Sequence, residues 1–418
     1  MFTVKYVLQN LEKIKASLEK RKSDYPLEEL LRLDKEYKEK KTRLQELQHK
    51  KNLVTLRIAK GEKVEESEKN LKSISEEIKK LNKETQDYEK KIKNLLFSLP
   101  NILADDVPFG EDESGNVEIR RVGEIKKTSG DSHYDIAEKF GWIDTQRAAK
   151  VAGSRFFYLK GDVVILENAL IRFGLDFLQK KGYIPILPPY MIVKEAYEGV
   201  TSLSDFEEML YKVTGKEEEG EKERYMIATA EHPIAAMYTK EVIKGDLLPL
   251  KYAGISPCFR REAGAHGKDT KGIFRVHQFE KVEQFIFCKP EQSEKLHEEI
   301  LKNAEEIYKQ LEIPYRVVKI CTGDIGIVAY KKYDIEAYFP AQQKYKEICS
   351  ISNCTDWQSL RLDIRYEEKG KKEYVHTLNG TLIAIQRTIA AILENYFDGK
   401  RVKIPDVLVN YVGKNYIP

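Results

Sequence analysis

Apolar positions recur with two periods along this chain, and the change of period marks its parts. Positions 30, 33, 37, 40, 44, 47, 51, 54 and 58 hold Leu, Leu, Tyr, Lys, Leu, Leu, Lys, Val and Ile. The spacing alternates three and four, the seam of a coiled coil. Val64, Ser67, Leu71, Ile74, Ile78, Leu81, Thr85, Tyr88, Ile92 and Leu95 repeat it. With a turn at 59–62, the two series predict antiparallel helices of about thirty residues, each roughly 45 Å long. Before them, residues 1–26 predict a short helix and a turn ending at Pro26. After them, Leu99-Pro100 stops the second helix. Three-and-four spacing returns over 162–182, a long helix followed by a short strand at 183–189 that ends in prolines. A further amphipathic helix, capped by Ser293, is predicted over 293–314. At 377–396 an Asn379-Gly380 turn leads into an apolar helix.

The two-residue period dominates 254–287, which reads as two strands joined by a polar, glycine-rich loop at 263–272. The first strand ends in Cys258 to Glu262 and the second runs from about Ile273 to Phe287. Alternation places Arg275, Phe279 and Glu283 on one face and Val276, Val282 and Ile286 on the other. Arg260 and Glu262 share a face of the first strand. One surface thus offers guanidinium groups, an aromatic plate and carboxylates, while the opposite surface can pack. Guanidinium forks grip phosphate oxygens in a bidentate way. An aromatic ring stacks on a base, worth about 1–3 kcal/mol, and a carboxylate holds an ammonium group. The set suits a nucleotide and an amino acid side by side. From pattern alone, a surface hairpin laced with ion pairs remains the alternative. Farther on, 321–340 reads as a glycine turn and a strand in which Asp334, Glu336 and Tyr338 alternate with Ile335 and Ala337.

Composition narrows the partners. Of the 418 residues 33% are charged, yet the net charge is only +3, so nucleic-acid contacts must come from local patches. One such patch is the first long helix, with Lys35, Lys38, Lys40, Lys41, Arg43, Lys50, Lys51, Arg57 and Lys60; by itself a two-helix rod reads more readily as a dimerisation element. The five cysteines form no CxxC pair and fit no zinc spacing, which favours reduced thiols in a cytoplasmic protein. No apolar run reaches the length of a membrane span, and no leader is expected at the N-terminus. Neither GxxxxGK nor GxGxxG occurs, which argues against P-loop and Rossmann nucleotide sites. The mixed, Gly-containing stretch 101–150 reads as a linker and 216–224 as a solvated loop.

The order 259-FRREAG-264, a loop, then 274-FRVHQFEKVEQF-285 resembles motif 2 of class II aminoacyl-tRNA synthetases, specifically of seryl-tRNA synthetases of the common, non-zinc type. The resemblance extends over essentially the whole chain. The helical rod is similar to the family's tRNA-holding arm, and 162–189 to motif 1, which builds the dimer interface. Thr229-Ala230-Glu231 resembles the TxE element of the serine pocket, 341–366 the ATP- and magnesium-approaching run, 377–396 motif 3, and 401–418 the family's ending. This implies an α+β fold, a class II antiparallel sheet flanked by helices with an N-terminal antiparallel two-helix coiled-coil arm. The implied domains are an arm at 1–100 (coiled coil about 27–97), a linker region at 101–150 and a catalytic domain at 151–418.

The implied activity is formation of seryl-adenylate from L-serine and ATP with Mg2+, then transfer of serine to the 3′ end of tRNA(Ser), and of tRNA(Sec) where present, by a homodimer. By the same resemblance Arg260, Glu262 and Arg387 are catalytic. ATP is held by these three with Arg261, Arg275, Val276, Phe279, Glu347, Ile348, Cys349 and Ser350, and magnesium by Glu347 and Ser350. Serine is held by Thr229, Ala230, Glu231, Arg260, Glu283, Asn379 and Thr381, and tRNA by Lys35, Lys38, Lys41, Arg43, Lys50 and Arg57. Two positions depart from the pattern: His232 stands where an apolar residue is expected, and Thr381 where serine is usual. The alternatives are a class II paralogue that loads a carrier protein, though such relatives generally lack the arm, and a catalytically inactive tRNA-binding scaffold.

Overall fold

A computed structural model describes residues 3–60, 67–202, 207–215, 222–262 and 271–418. Half of the turn expected at 59–62, most of the run 216–224 and most of the loop 263–272 lie outside these. The chain falls into two compact units, one ending at Pro100 and the other running from Asn101 to Pro418.

The first unit opens with two short helices, α1 (Val4–Gln9) and α2 (Leu11–Lys20), where one was expected. Two long helices follow, α3 (Leu27–Ala59) and α4 (Ser67–Ser98). Their partners run in opposite directions along the two sequences: Tyr37 bonds Glu89, Lys40 bonds Glu84 and Arg43 bonds Glu77. The pair is therefore antiparallel. Leu30, Leu33, Leu44, Leu47, Ile74, Thr85 and Ile92 are buried along the seam, so the three-and-four spacing holds over most of its length. At its end the buried residue is Leu96, one position beyond the expected Leu95.

The second unit is built on an eight-stranded sheet. Its strands are β1 (Val117–Val122), β2 (Ile184–Ile186), β3 (Leu250–Phe259), β4 (Gln278–Cys288), β5 (Tyr315–Lys319), β6 (Lys331–Phe339), β7 (Lys344–Thr355) and β8 (His376–Ala384). In space the order is β1-β5-β6-β7-β8-β4-β3-β2. All pairings are antiparallel except β2 with β3. Residues 101–150 are no linker. They supply edge strand β1 and helix α5 (His133–Lys139), and the Asn101 amide donates to the carbonyls of Val328 and Cys354. A six-residue, largely exposed strand carries little apolar signal, which is why the sequence reads as a connection.

One face of the sheet is covered by α6 (Asp162–Lys180), α8 (Ser293–Gln310) and α10 (Ile385–Tyr396). Leu166, Leu170, Ile300, Ile389 and Leu393 from these helices meet Val282, Ile286, Ile335, Leu378 and Leu382 from the strands in one core. The other face is covered at both ends. At one, Phe285 and Phe287 pack with Ala230, Ile234 and Leu362 from around α7 (Glu231–Ala236) and α9 (Trp357–Leu362). At the other, Val318 of β5 packs with Leu103, Val107, Ile325 and Ala329. Between these covers the face is open.

Three local expectations are corrected. Both central strands are shorter than alternation suggested, ending at Phe259 and starting at Gln278. Ser293 does not cap α8: it is the first helical residue, and its hydroxyl pairs with the Asn353 amide. Asn379-Gly380 makes no turn; it lies inside β8, with Gly380 opposite Gln284 on one side and Ile351 on the other. A Cβ on Gly380 would stand 3.2 Å from Ile351 Cγ1 and 3.4 Å from Ile300 Cδ1, so the glycine serves close packing there.

Candidate active site

The open face forms the floor of a cavity of about 510 Å³. Its floor follows from strand alternation. Phe279 and Glu283 on β4 point up into it while Val282 and Ile286 point down into the core. Glu347, Ile348 and Ser350 on β7, Asn379 and Thr381 on β8, and Arg387 at the start of α10 complete that side. Thr229 and Glu231, at the N-terminal end of α7, form the opposite wall with Arg260.

The cavity has two chemically distinct ends. At one end two carboxylates face each other. Glu283 is 1% exposed, accepts from the Thr381 hydroxyl at 3.3 Å and pairs with Lys281 Nζ at 2.5 Å. Glu231 accepts from Gln358 Nε2 at 2.9 Å, and the Thr229 hydroxyl accepts from the Glu231 N–H at 3.3 Å. Burial first, and then the nearby Glu283 charge, push the Glu231 carboxyl up to about 7. The same burial, with Lys281 and Arg260 nearby, drives the His232 imidazole down to about 3, so it is neutral. Its ring stands edge-on to Tyr197, 4.8 Å between centroids, and its Nδ1 has no hydrogen-bond partner among the described residues.

At the other end lie the aromatic plate and the cations. The Arg260 guanidinium sits 5.2 Å from the Phe279 ring centroid and donates through Nε to Ala228 O at 3.3 Å. Arg387 donates to Glu347 O at 2.9 Å, lies 3.3 Å from the Glu347 carboxylate and caps the Phe274 ring at 4.9 Å. Desolvation works to raise the Glu347 carboxyl, but Arg387, Lys332 and Arg260 outweigh it and hold it below its ordinary range. With its side chain about half exposed, Glu347 and the Ser350 hydroxyl present oxygen donors to the cavity. These donors fit a hard cation. Among the described residues no group of three or more His, Cys, Asp or Glu side chains is placed to hold a metal. Two protein ligands suit a cation whose remaining ligands are phosphate and water.

Other expected residues lie elsewhere. Glu262 and Arg275, 3.7 Å apart, border a separate notch of about 20 Å³ together with Val276, Phe279 and Arg387. Glu262 has φ +49, so the chain has left the sheet and alternation no longer governs its side chain. Arg261 is exposed, and Ala230 is buried behind the wall against Gly254. Cys349 points away into the core, its thiol against Tyr308 and Leu382 O. Sequence reasoning missed Lys281, Lys332 and Gln358, and marked His232 only as a departure from the family pattern. Lys281 shares the parity of Phe279 and Glu283, and Lys332 that of Asp334 and Glu336, so alternation could have found both. Gln358 and the orientation of His232 have no periodic signal.

Of the arm residues, Lys38 pairs with Asp34, Lys41 donates to Tyr37, and Arg43 pairs with Glu77. Lys35, Lys50 and Arg57 make no ion pair among the described residues; Lys35 and Lys50 are exposed, as is Arg57.

An open antiparallel sheet with one helix-covered face, two arginines each set against its own aromatic ring, Arg260 on Phe279 and Arg387 on Phe274, and a helix at its edge that carries Arg387 defines a class II aminoacyl-tRNA synthetase. Residues 211–396 match the tRNA synthetase class II core domain (G, H, P, S and T), and residues 1–103 the seryl-tRNA synthetase N-terminal domain. The serine–tRNA ligase of Pyrococcus horikoshii is 46% identical over 100% of this chain and 98% of its own. That of Archaeoglobus fulgidus is 54% identical over 76% of this chain and 75% of its own. The crystal structure of the P. horikoshii enzyme complexed with ATP superposes with a TM-score of 0.92, covering 100% of this chain and 99% of that one. The Naegleria fowleri cytoplasmic enzyme in complex with AMP gives 0.87 at 37% identity, over 98% and 95% of the two chains. The chain belongs to the seryl-tRNA synthetase family, the serine–tRNA ligases.

Proposed function

We propose that the cavity binds L-serine and ATP together, makes seryl-adenylate and passes the seryl group to tRNA. The observation that carries this is the division of one cavity into a carboxylate end and an arginine–aromatic end. The ATP and AMP complexes of the two relatives named above support a nucleotide as ligand; the arginines and the aromatic ring assign it to the second end. Serine's ammonium lies between Glu231 and Glu283, and its hydroxyl meets the polar groups of Thr229, Thr381 and Asn379. Adenine stacks on Phe279, Arg260 grips the α-phosphate and Arg387 the γ-phosphate. Arg275, at the notch beside Phe279, assists from the rim.

Serine's carboxylate is already an anion, so the first step needs no side-chain base. A carboxylate oxygen bonds to the α-phosphorus as the bond to the β-phosphoryl oxygen breaks, and pyrophosphate leaves. Positioning and charge stabilisation by Arg260 and Arg387 supply the acceleration. Glu347 and Ser350 would hold magnesium, which would supply neutralisation of phosphate charge. In the second step a hydroxyl of the terminal ribose attacks the acyl carbon and AMP departs.

The coiled-coil unit takes tRNA(Ser), and tRNA(Sec) where an organism has one, through phosphate contacts from Lys35, Lys38, Lys41, Arg43, Lys50 and Arg57 on α3. The active form is a homodimer joined through the region after α6, where Ile184, Leu187 and Met191 are exposed. Location in the cytoplasm fits five buried free thiols and the lack, among the described residues, of any helix long and apolar enough to cross a membrane.

The test is charging of a tRNA(Ser) transcript with labelled serine. One AMP and one pyrophosphate per seryl-tRNA are expected; tRNA binding without charging would support the inactive scaffold instead.

A further inference from the structure

Helix α10 holds the returning end of the β3–β4 connection at two adjacent residues, and only one of these contacts belongs to the site described above. In the first turn of α10, Arg387 donates from Nε to Phe274 O at 3.4 Å. Two turns later stands Glu394, 2% exposed. Its carboxylate accepts from the His133 backbone N–H at 3.1 Å, from the His133 ring at Nδ1 at 2.8 Å and from the Ala341 N–H at 3.2 Å. His133 opens α5 and is 5% exposed. Its other ring nitrogen, Nε2, lies 3.4 Å from the Ile273 N–H.

The partners assign the tautomer. A backbone N–H only donates, so Nε2 offers its lone pair to Ile273 and the ring proton sits on Nδ1, facing Glu394. A second, independent contact points the same way. Gly272 has φ +78, and a Cβ there would stand 2.2 Å from His133 Nε2. The imidazole is therefore wedged against two consecutive residues of the connection. A histidine serving only to tie α5 to α10 would need just its Nδ1 bond.

We propose that Glu394 and His133 are positioning residues for nucleotide binding. They pin residues 272–273, so that Phe274 stays beneath the Arg387 guanidinium and Arg275 stays at the notch beside Phe279. This rests on the reading that Arg387 and Phe279 bind ATP.

The test separates the two nitrogens. His133→Asn keeps an amide donor near Nδ1 for Glu394 but leaves nothing at Nε2. His133→Gln places an amide oxygen near Nε2. In ATP–pyrophosphate exchange, His133→Asn should raise KM for ATP about five- to tenfold, the scale of one lost hydrogen bond, and leave KM for serine within about twofold. His133→Gln should recover most of the ATP defect. Gly272→Ala removes no polar group but meets Nε2, and should reproduce the ATP-selective defect; it carries the test if His133→Asn does not fold. An unchanged KM for ATP in the folded variants, or equal rises for both substrates, overturns the proposal. Arg387→Ala distinguishes the cause. If it too leaves KM for ATP unchanged, the nucleotide reading itself fails. If it alone raises KM for ATP, only the positioning role of His133 and Glu394 fails.

Discussion

A carboxylate buried beside another carboxylate gives up its charge until a cation arrives. Glu231, pushed up to about 7 by burial and by Glu283, is part-protonated near neutral pH. The sign of the consequence is fixed. Serine's ammonium favours the ionised form, so binding takes a proton off Glu231 whenever the pH lies below about 7. KM for serine should therefore climb as pH falls from 8 to 6, approaching about tenfold per unit at the acid end. Glu231→Gln should flatten that profile and raise KM for serine about 100-fold, because Glu283 then faces the ammonium alone. A flat profile in the unaltered protein would remove Glu231 from the serine site. At the arginine end, Arg260→Ala should cut serine-dependent ATP–pyrophosphate exchange on the order of 100-fold or more; an unaffected rate would contradict the phosphate role. At this scale the sequence was most informative where a strand is regular. Parity assigned Phe279 and Glu283 correctly to one face, and would have added Lys281 had it been applied to every odd position. Parity fails at Glu262, where the backbone turns left-handed, and the resemblance fails at Cys349, whose thiol lies under the sheet.

The elements that shape the site are held by packing that local sequence signals do not report. Asn-Gly is a strong turn signal in isolation, yet in β8 it sits between two paired strands, and burial of Leu378 and Leu382 overrides it. Gly380 is required because Ile351 and Ile300 approach from the core. Gly380→Val should lower stability by about 1–3 kcal/mol through overpacking and depress activity, since Asn379 and Thr381 flank it. A urea midpoint equal to that of the unaltered protein would show that the core yields there. The long helices were legible because thirty residues of three-and-four spacing outvote local exceptions. Strand β1 and helix α5 were not, because short, half-exposed elements leave no periodicity. His133 was lost for the same reason.

At the scale of the whole molecule, the proposed activity divides between the coiled-coil unit and the sheet unit. Removal of residues 30–95 should leave adenylate formation intact and abolish tRNA charging. Raising salt should weaken charging by raising KM for tRNA steeply, with far less effect on exchange, because phosphate contacts release counterions. Charging by the truncated protein at the normal rate would take the tRNA role away from the arm. The most direct measurement of the central claim is ATP–pyrophosphate exchange with each standard amino acid supplied in turn. Serine should drive exchange and alanine should fall short on the order of 10⁴-fold, because it leaves buried polar groups unpaired. No exchange with serine, or equal exchange with alanine, would contradict the claim that this open sheet face is built to activate serine.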